Sequence, residues 1–100
     1  MRKVGKLTAL KVARERRPGR YADGAGLYLQ VAPGGSRAWT YRYKVAGRDR
    51  WIGLGSVKVV SLAKAREKAA DARRLRIDGV DPIEHKRASK AAARLSEIRV

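Results

Sequence analysis

Arg37-Ala38-Trp39-Thr40-Tyr41-Arg42-Tyr43-Lys44-Val45 alternates strictly between large apolar side chains and polar, mostly basic ones. Period two marks a strand with two unlike faces, because successive side chains of an extended chain point to opposite sides. Trp39, Tyr41, Tyr43 and Val45 then share a face that belongs in a core. Thr40, Arg42 and Lys44 share a face suited to a negatively charged partner.

The segments on either side repeat the pattern. Leu27-Tyr28-Leu29-Gln30-Val31 places Leu27, Leu29 and Val31 inward and Tyr28 and Gln30 outward, and Pro33-Gly34-Gly35-Ser36 reverses the chain into the long strand. Ala46-Gly47 turns it again into Arg48-Asp49-Arg50-Trp51-Ile52-Gly53-Leu54. With Ile52 and Leu54 inside, Trp51 faces outward and Arg48 and Arg50 lie at the open end of the third strand. The expected sheet is a three-stranded antiparallel meander, with room for a fourth short strand near Tyr21, ahead of the turn at Asp23-Gly24-Ala25-Gly26.

One main helix covers it. Ser61 is a good N-cap for a helix to about Asp78, closed by Gly79, and Leu62, Ala65, Ala69, Ala72 and Leu75 recur along one face. Small residues let the helix axis approach the sheet, where Trp39, Tyr41 and Tyr43 supply the bulk. The opposite helix face, with Lys64, Lys68, Asp71 and Arg74, is mixed in sign and reads as solvated. Thr8 caps a short helix from Ala9 to about Arg16, ahead of Pro18-Gly19. Asp81-Pro82-Ile83-Glu84 opens a further helix, with Asp81 as N-cap and Glu84 in the capping-box position. From His85 to Leu95 that helix has few large apolar residues and reads as a connector, with Arg87, Lys90 and Arg94 free to graze a phosphate backbone. The expected class is α+β. Residues 1–6 form a basic leader, 7–80 the domain, and 81–100 a helical connector.

Composition narrows the function. Among 100 residues, 25 Lys and Arg stand against 9 Asp and Glu, a net charge of +16 that solubility does not require. A polyanionic partner explains it, with nucleic acid ahead of an anionic membrane surface or a ribosome-like assembly. Cysteine is absent and His85 is the only histidine, so neither a disulfide framework nor a zinc site is expected, and no cofactor is implied. No apolar run approaches the ~20 residues that span a bilayer, and residues 1–6 lack the apolar centre of a signal peptide, so the chain reads as soluble and cytoplasmic. Neither a nucleophile with a base nor a phosphate-binding loop is evident, and no small-molecule substrate is expected.

The open sheet face is the candidate site. Tyr28, Gln30, Thr40, Arg42 and Lys44, with Arg48 and Arg50 at its end, combine cations for phosphates with side chains that reach base edges. A small sheet is narrow enough to enter the major groove of duplex DNA. The alternative is a basic RNA- or ribosome-binding module or a protein-interaction surface. An RNA platform needs exposed rings in succession, and only Tyr28 and Trp51 are available for that.

The order of landmarks adds a resemblance. Leu7-Thr8, Tyr21-Ala22-Asp23-Gly24, Gly26-Leu27-Tyr28-Leu29, Gly35-Ser36, Trp39, Tyr41-Arg42-Tyr43, Leu54-Gly55-Ser56, Ser61-Leu62-Ala63 with Ala65-Arg66, and Gly79 with Asp81-Pro82 follow one another in this order. In that order the chain resembles the N-terminal arm-type DNA-binding domain of prophage and genomic-island integrases of the tyrosine recombinase family. The resemblance implies a three-stranded sheet packed on one helix, similar in plan to plant ethylene-response-factor domains, with the sheet laid in the major groove. It also implies arm-type attachment sites as the DNA partner, contacts with other integrase protomers, and a separate catalytic domain that carries the tyrosine nucleophile. None of that catalytic cluster can be placed in these residues, so the chain is expected to bind DNA and not to recombine it. Two departures stand out: Val57-Lys58 replaces a common aromatic-proline pair, and Lys64 replaces an acidic residue three positions after the helix cap.

Overall fold

In the computed structural model, which describes residues 5–98, four strands form one antiparallel sheet in the order β1-β2-β3-β4. Residues 1–4 of the expected leader and the last two of the connector lie outside the described residues. The strands are β1 (Gly19–Gly24), β2 (Leu27–Val31), β3 (Arg37–Val45) and β4 (Arg48–Ser56), and the helices are α1 (Ala9–Arg14), α2 (Leu62–Ile77) and α3 (Pro82–Ile98). The α+β class is as expected, and the sheet has four strands instead of three. β1 is a full partner of β2, from Gly19 opposite Val31 to Gly24 opposite Leu27. Its glycine and aspartate content reads as turn in sequence, yet Tyr21 and Asp23 alternate with Arg20 and Ala22 as a strand requires.

The β3 alternation sorts the sheet into two faces. Trp39, Tyr41 and Tyr43 are buried with Leu27, Leu29, Val31 and Ile52 against Ala65, Ala69 and Ala72 of α2. Alanine at the contact lets the helix sit close, and the rings fill the layer. Gly26 shows how tight the fit is: its φ is +90°, and a Cβ there would meet Tyr41 Cε1 at 2.6 Å and the Arg42 carbonyl at 2.8 Å. The register of β4 shifts by one residue between Trp39 and Thr40 of β3, which pair with Gly55 and Gly53. This bulge leaves Leu54 unopposed and partly buried against the core, while Ile52 is inside.

Both main caps form. Ser61 Oγ accepts from the Lys64 amide at 3.1 Å. The end of α2 is a Schellman motif: Val80 N–H donates to the Leu75 carbonyl at 2.8 Å, and Gly79 N–H to that of Arg76 at 3.1 Å, with Gly79 at φ +78°. Thr8 caps α1 through the Lys11 amide, and the helix stops at Arg14. Asp81 caps α3 by accepting from the Ile83 amide at 3.0 Å. The expected capping box is not made, because Glu84 turns instead to Arg87 at 3.0 Å.

Asp81 also ties α3 to the sheet. Its carboxylate accepts from the Tyr43 hydroxyl and, at 2.7 Å, from Arg50 Nη1. Burial, followed by the bond to Asp81, pushes the Tyr43 phenol up to about 12. A folded pKa above the unfolded value of 10.0 stabilises the domain below that value and loses the contribution as pH rises toward about 12. Thermal melts between those limits should therefore fall more steeply with pH for the wild type than for Tyr43→Phe. Parallel slopes would show that the phenol is not coupled to folding. Beyond Ile83, α3 runs along the surface with its side chains exposed as far as Glu97.

Candidate nucleic-acid interface

The face of the sheet turned away from α2 is uncovered among the described residues. Register places on it Arg20 and Ala22 of β1, Tyr28 and Gln30 of β2, Ala38, Thr40, Arg42 and Lys44 of β3, and Asp49, Trp51 and Gly53 of β4. The outward residues expected on β2 and β3 are all brought together here. Their states differ. Lys44 is exposed, Tyr28, Gln30 and Arg42 are half-buried, and Thr40 is only 9% exposed.

Two assignments need correction. Arg50 and Arg48 stand opposite Tyr43 and Val45, so both belong to the helix side of the sheet. Arg50 is held there by Asp81, a partner that comes from the cap of α3 and that no local pattern reveals. Thr40, expected to be exposed, is covered by its neighbours.

Trp51 is what covers the centre of this face. Its ring meets that of Tyr28 edge-to-face, with centroids 5.1 Å apart. The Arg20 guanidinium lies 4.0 Å from its centroid, and that of Arg42 lies 6.0 Å away. Cation–π contact of this kind holds a guanidinium in place without neutralising it. Arg20 also donates from Nε to Gln30 Oε1 at 3.3 Å, and Arg42 pairs with Asp49 at 3.1 Å. The Arg42–Asp49 pair is well exposed, so solvent screens it and a phosphate can compete for the guanidinium. The result is a flat patch of three cations around an aromatic centre, with one carboxylate at its edge.

Sequence reasoning left Arg20 and Trp51 out of the site. The signal for Arg20 is the short alternation Arg20-Tyr21-Ala22-Asp23, and Trp51 reads in sequence as an outward ring suited only to base stacking. What links them is a packing arrangement across four strands, which a linear pattern does not contain.

Chemically, the patch offers guanidinium and ammonium donors, an amide and two aromatic surfaces. It holds no nucleophile paired with a base. No group of three or more metal-ligating side chains occurs among the described residues, and no helix of the structure is long and apolar enough to cross a membrane.

Comparison with known proteins identifies the family of the chain. The family model described as the arm DNA-binding domain matches residues 6–89. The integrase of Shigella phage Sf6 is 40% identical over 73 residues, covering 73% of this chain and 19% of its own length. The prophage integrase IntS of Escherichia coli K12 matches at the same 40% over 73 residues, again 19% of its length. The integrase of Enterobacteria phage P4 is 38% identical over 63 residues, 61% of this chain and 14% of its length. The chain thus spans about a fifth of the first two relatives. Because the family match runs through all four strands and the helix that covers them, the chain belongs to the arm DNA-binding domain family.

Proposed function

We propose that this domain binds duplex DNA through the open face of its sheet, laid in the major groove at arm-type attachment sites, and so supports the integration and excision of a mobile element by an integrase. The observation that carries this reading is the asymmetry of the sheet. One face is closed by α2, and the other presents Arg20, Arg42 and Lys44 around Tyr28 and Trp51 in a chain of net charge +16. The integrase of Shigella phage Sf6 and the prophage integrase IntS are matched over about a fifth of their length, which supports a role in holding DNA while chemistry is done elsewhere.

In this reading Lys44 neutralises phosphate, Arg42 and Gln30 reach base edges, and Arg20 and Arg42 are pre-positioned by the Trp51 ring. Arg48 and Arg50 lie on the other side of the sheet and are left with at most a flanking phosphate contact. Tyr28 and Trp51 are packed against each other and capped by Arg20, which disfavours the stacking platform that single-stranded RNA requires.

The test is a salt series comparing a duplex enriched by this chain from a randomised library with a scrambled duplex. About five to eight phosphate contacts give a log–log slope near −5 to −7. Arg42→Ala should weaken binding to the enriched duplex by ~1–3 kcal/mol and relax its preference, while Lys44→Ala should reduce the slope by about 1 for both duplexes. Unchanged affinity in both variants would remove the open face from the site. Equal affinity for duplex DNA, single strands and structured RNA would favour a general polyanion binder.

A further inference from the structure

The Thr40 hydroxyl is the anomaly of the open face. Its Oγ1 is buried and has no hydrogen-bond partner among the described residues. A buried hydroxyl without a partner forfeits its hydrogen bonds to water, so a strand position such as this ordinarily favours valine, which has the same shape and no polar atom.

What buries it is identifiable. Thr40 stands between Tyr28 on β2 and Gly53 on β4. Strands β2 and β4 are not neighbours, and two strand spacings separate them by roughly 9–10 Å. The Tyr28 and Trp51 rings nevertheless approach to 5.1 Å, so they lean toward each other over β3. Arg20, from the far side of β2, caps the Trp51 ring. On the β4 side Gly53 has no side chain, and a Cβ built there would meet nothing within 4 Å. That open space gives the Trp51 ring room to be displaced, and raising it opens Thr40 toward the groove of whatever lies on the sheet.

We infer that the Tyr28–Trp51 pair is a lid over the Thr40 hydroxyl, displaced when duplex DNA occupies the open face, and that Thr40 then hydrogen-bonds a base edge. This rests on the DNA-binding reading of that face. The closed lid leaves the hydroxyl unpaired in the free protein. The open state pairs it only when a base presents a suitable group, such as thymine O4 or guanine O6, at that level of the groove. The ring holds Arg20 and Arg42 beside the site in the free protein, and as it moves it frees Arg20 toward phosphate and Arg42 toward a base edge. A wrong base leaves the hydroxyl unpaired after the lid has opened, so discrimination comes from the penalty as much as from the contact.

Thr40→Val separates this from a structural role, because the two readouts move in opposite directions. The free variant should melt about 4–8 °C higher, since the unpaired hydroxyl is gone. Its preference for the enriched over the scrambled duplex should fall about tenfold, with scrambled-duplex affinity and salt slope unchanged. Thr40→Ser should keep the preference. Tryptophan emission should shift on binding the enriched duplex, and Trp51→Phe, which leaves the buried Trp39 as the only indole, should lose that shift. A Thr40→Val variant that keeps its preference, or an enriched duplex that binds without moving the Trp51 signal, overturns the lid. If Arg42→Ala weakens binding while Thr40→Val changes nothing, the lid alone fails. If Arg42→Ala is also silent, the sheet face itself is not the site.

Discussion

Trp39→Ala removes much of the domain's stability, whereas Trp51→Ala on the opposite face leaves it nearly unchanged. Trp39 is fully buried at 0% exposure in the layer between β3 and α2, and its Nε1–H donates to the Val60 carbonyl at 2.8 Å. Truncation removes the largest side chain of a core whose helix side is alanine. No neighbour can swing in to fill the gap, and the loss should be about 3–5 kcal/mol. Val60, itself buried, keeps a carbonyl without its partner, which adds to the cost. A domain of this size has roughly 5–15 kcal/mol of stability in all, so such a loss consumes much of it. Trp39→Phe should fall between, because the ring volume is mostly kept and the hydrogen bond alone is lost, at about 1–3 kcal/mol. Urea titration of the three proteins checks the order. A cooperative transition for Trp39→Ala within a few tenths of a kcal/mol of wild type would mean that the core is not centred on this residue. Loss of DNA binding by Trp39→Ala carries no information about contacts, and Trp51 is the tryptophan to vary for that purpose.

The same contrast explains how much could be read in advance. The two faces of β2 and β3, the alanine stripe of α2 and the caps at Ser61, Thr8 and Asp81 are local patterns, and each was legible because the cause lies within a few residues of the effect. β1 was half-hidden: glycine and aspartate usually punctuate turns, and here Asp23 is in a strand because its side chain has a buried task. The site was less legible than the fold. Arg50 carries the same charge as Arg42, and only the register opposite Tyr43, together with an aspartate from α3, assigns it to the other side of the sheet. Thr40 alternates as an exposed residue should, yet it is buried, on a face where two rings from non-adjacent strands meet. Period two gives the direction of a side chain and says nothing about what lies above it.

Asp23 carries the second large effect, and its size follows from which member of the pair is buried. Asp23 is 3% exposed, and its two oxygens accept from Arg66 Nε and Nη2 and from the Leu7 amide, each at 2.9 Å. Arg66 Nη2 also donates to the Leu7 carbonyl at 3.0 Å, so one ion pair joins the start of the chain, β1 and α2. Burial alone would raise the carboxyl's pKa, but the bonds from Arg66 and Leu7, with the Arg66 charge, hold it below its ordinary 3.8. A depressed folded pKa contributes stability that is complete above the unfolded value and is lost as pH falls through the folded one. Acid unfolding of the wild type should therefore include a component below about pH 4, the ordinary aspartate range, that Asp23→Asn lacks. At neutral pH the two partners are not equivalent. The Arg66 side chain is 42% exposed against 4% for Asp23, so an abandoned guanidinium returns to water while an abandoned carboxylate stays buried. Asp23→Ala should cost about 3 kcal/mol, and Arg66→Ala more, toward the upper end of ~3–5 kcal/mol, with Asp23 taking up a proton at higher pH than before. The double variant should then lose less than the sum of the single ones. Hydrogen exchange at Leu7 and Val12 reports the same contact locally, because both are buried where the chain before β1 docks on the sheet. If Asp23→Ala proved the costlier of the two, the stabilisation would come from the anchoring of Leu7, with the ion pair contributing little of its own.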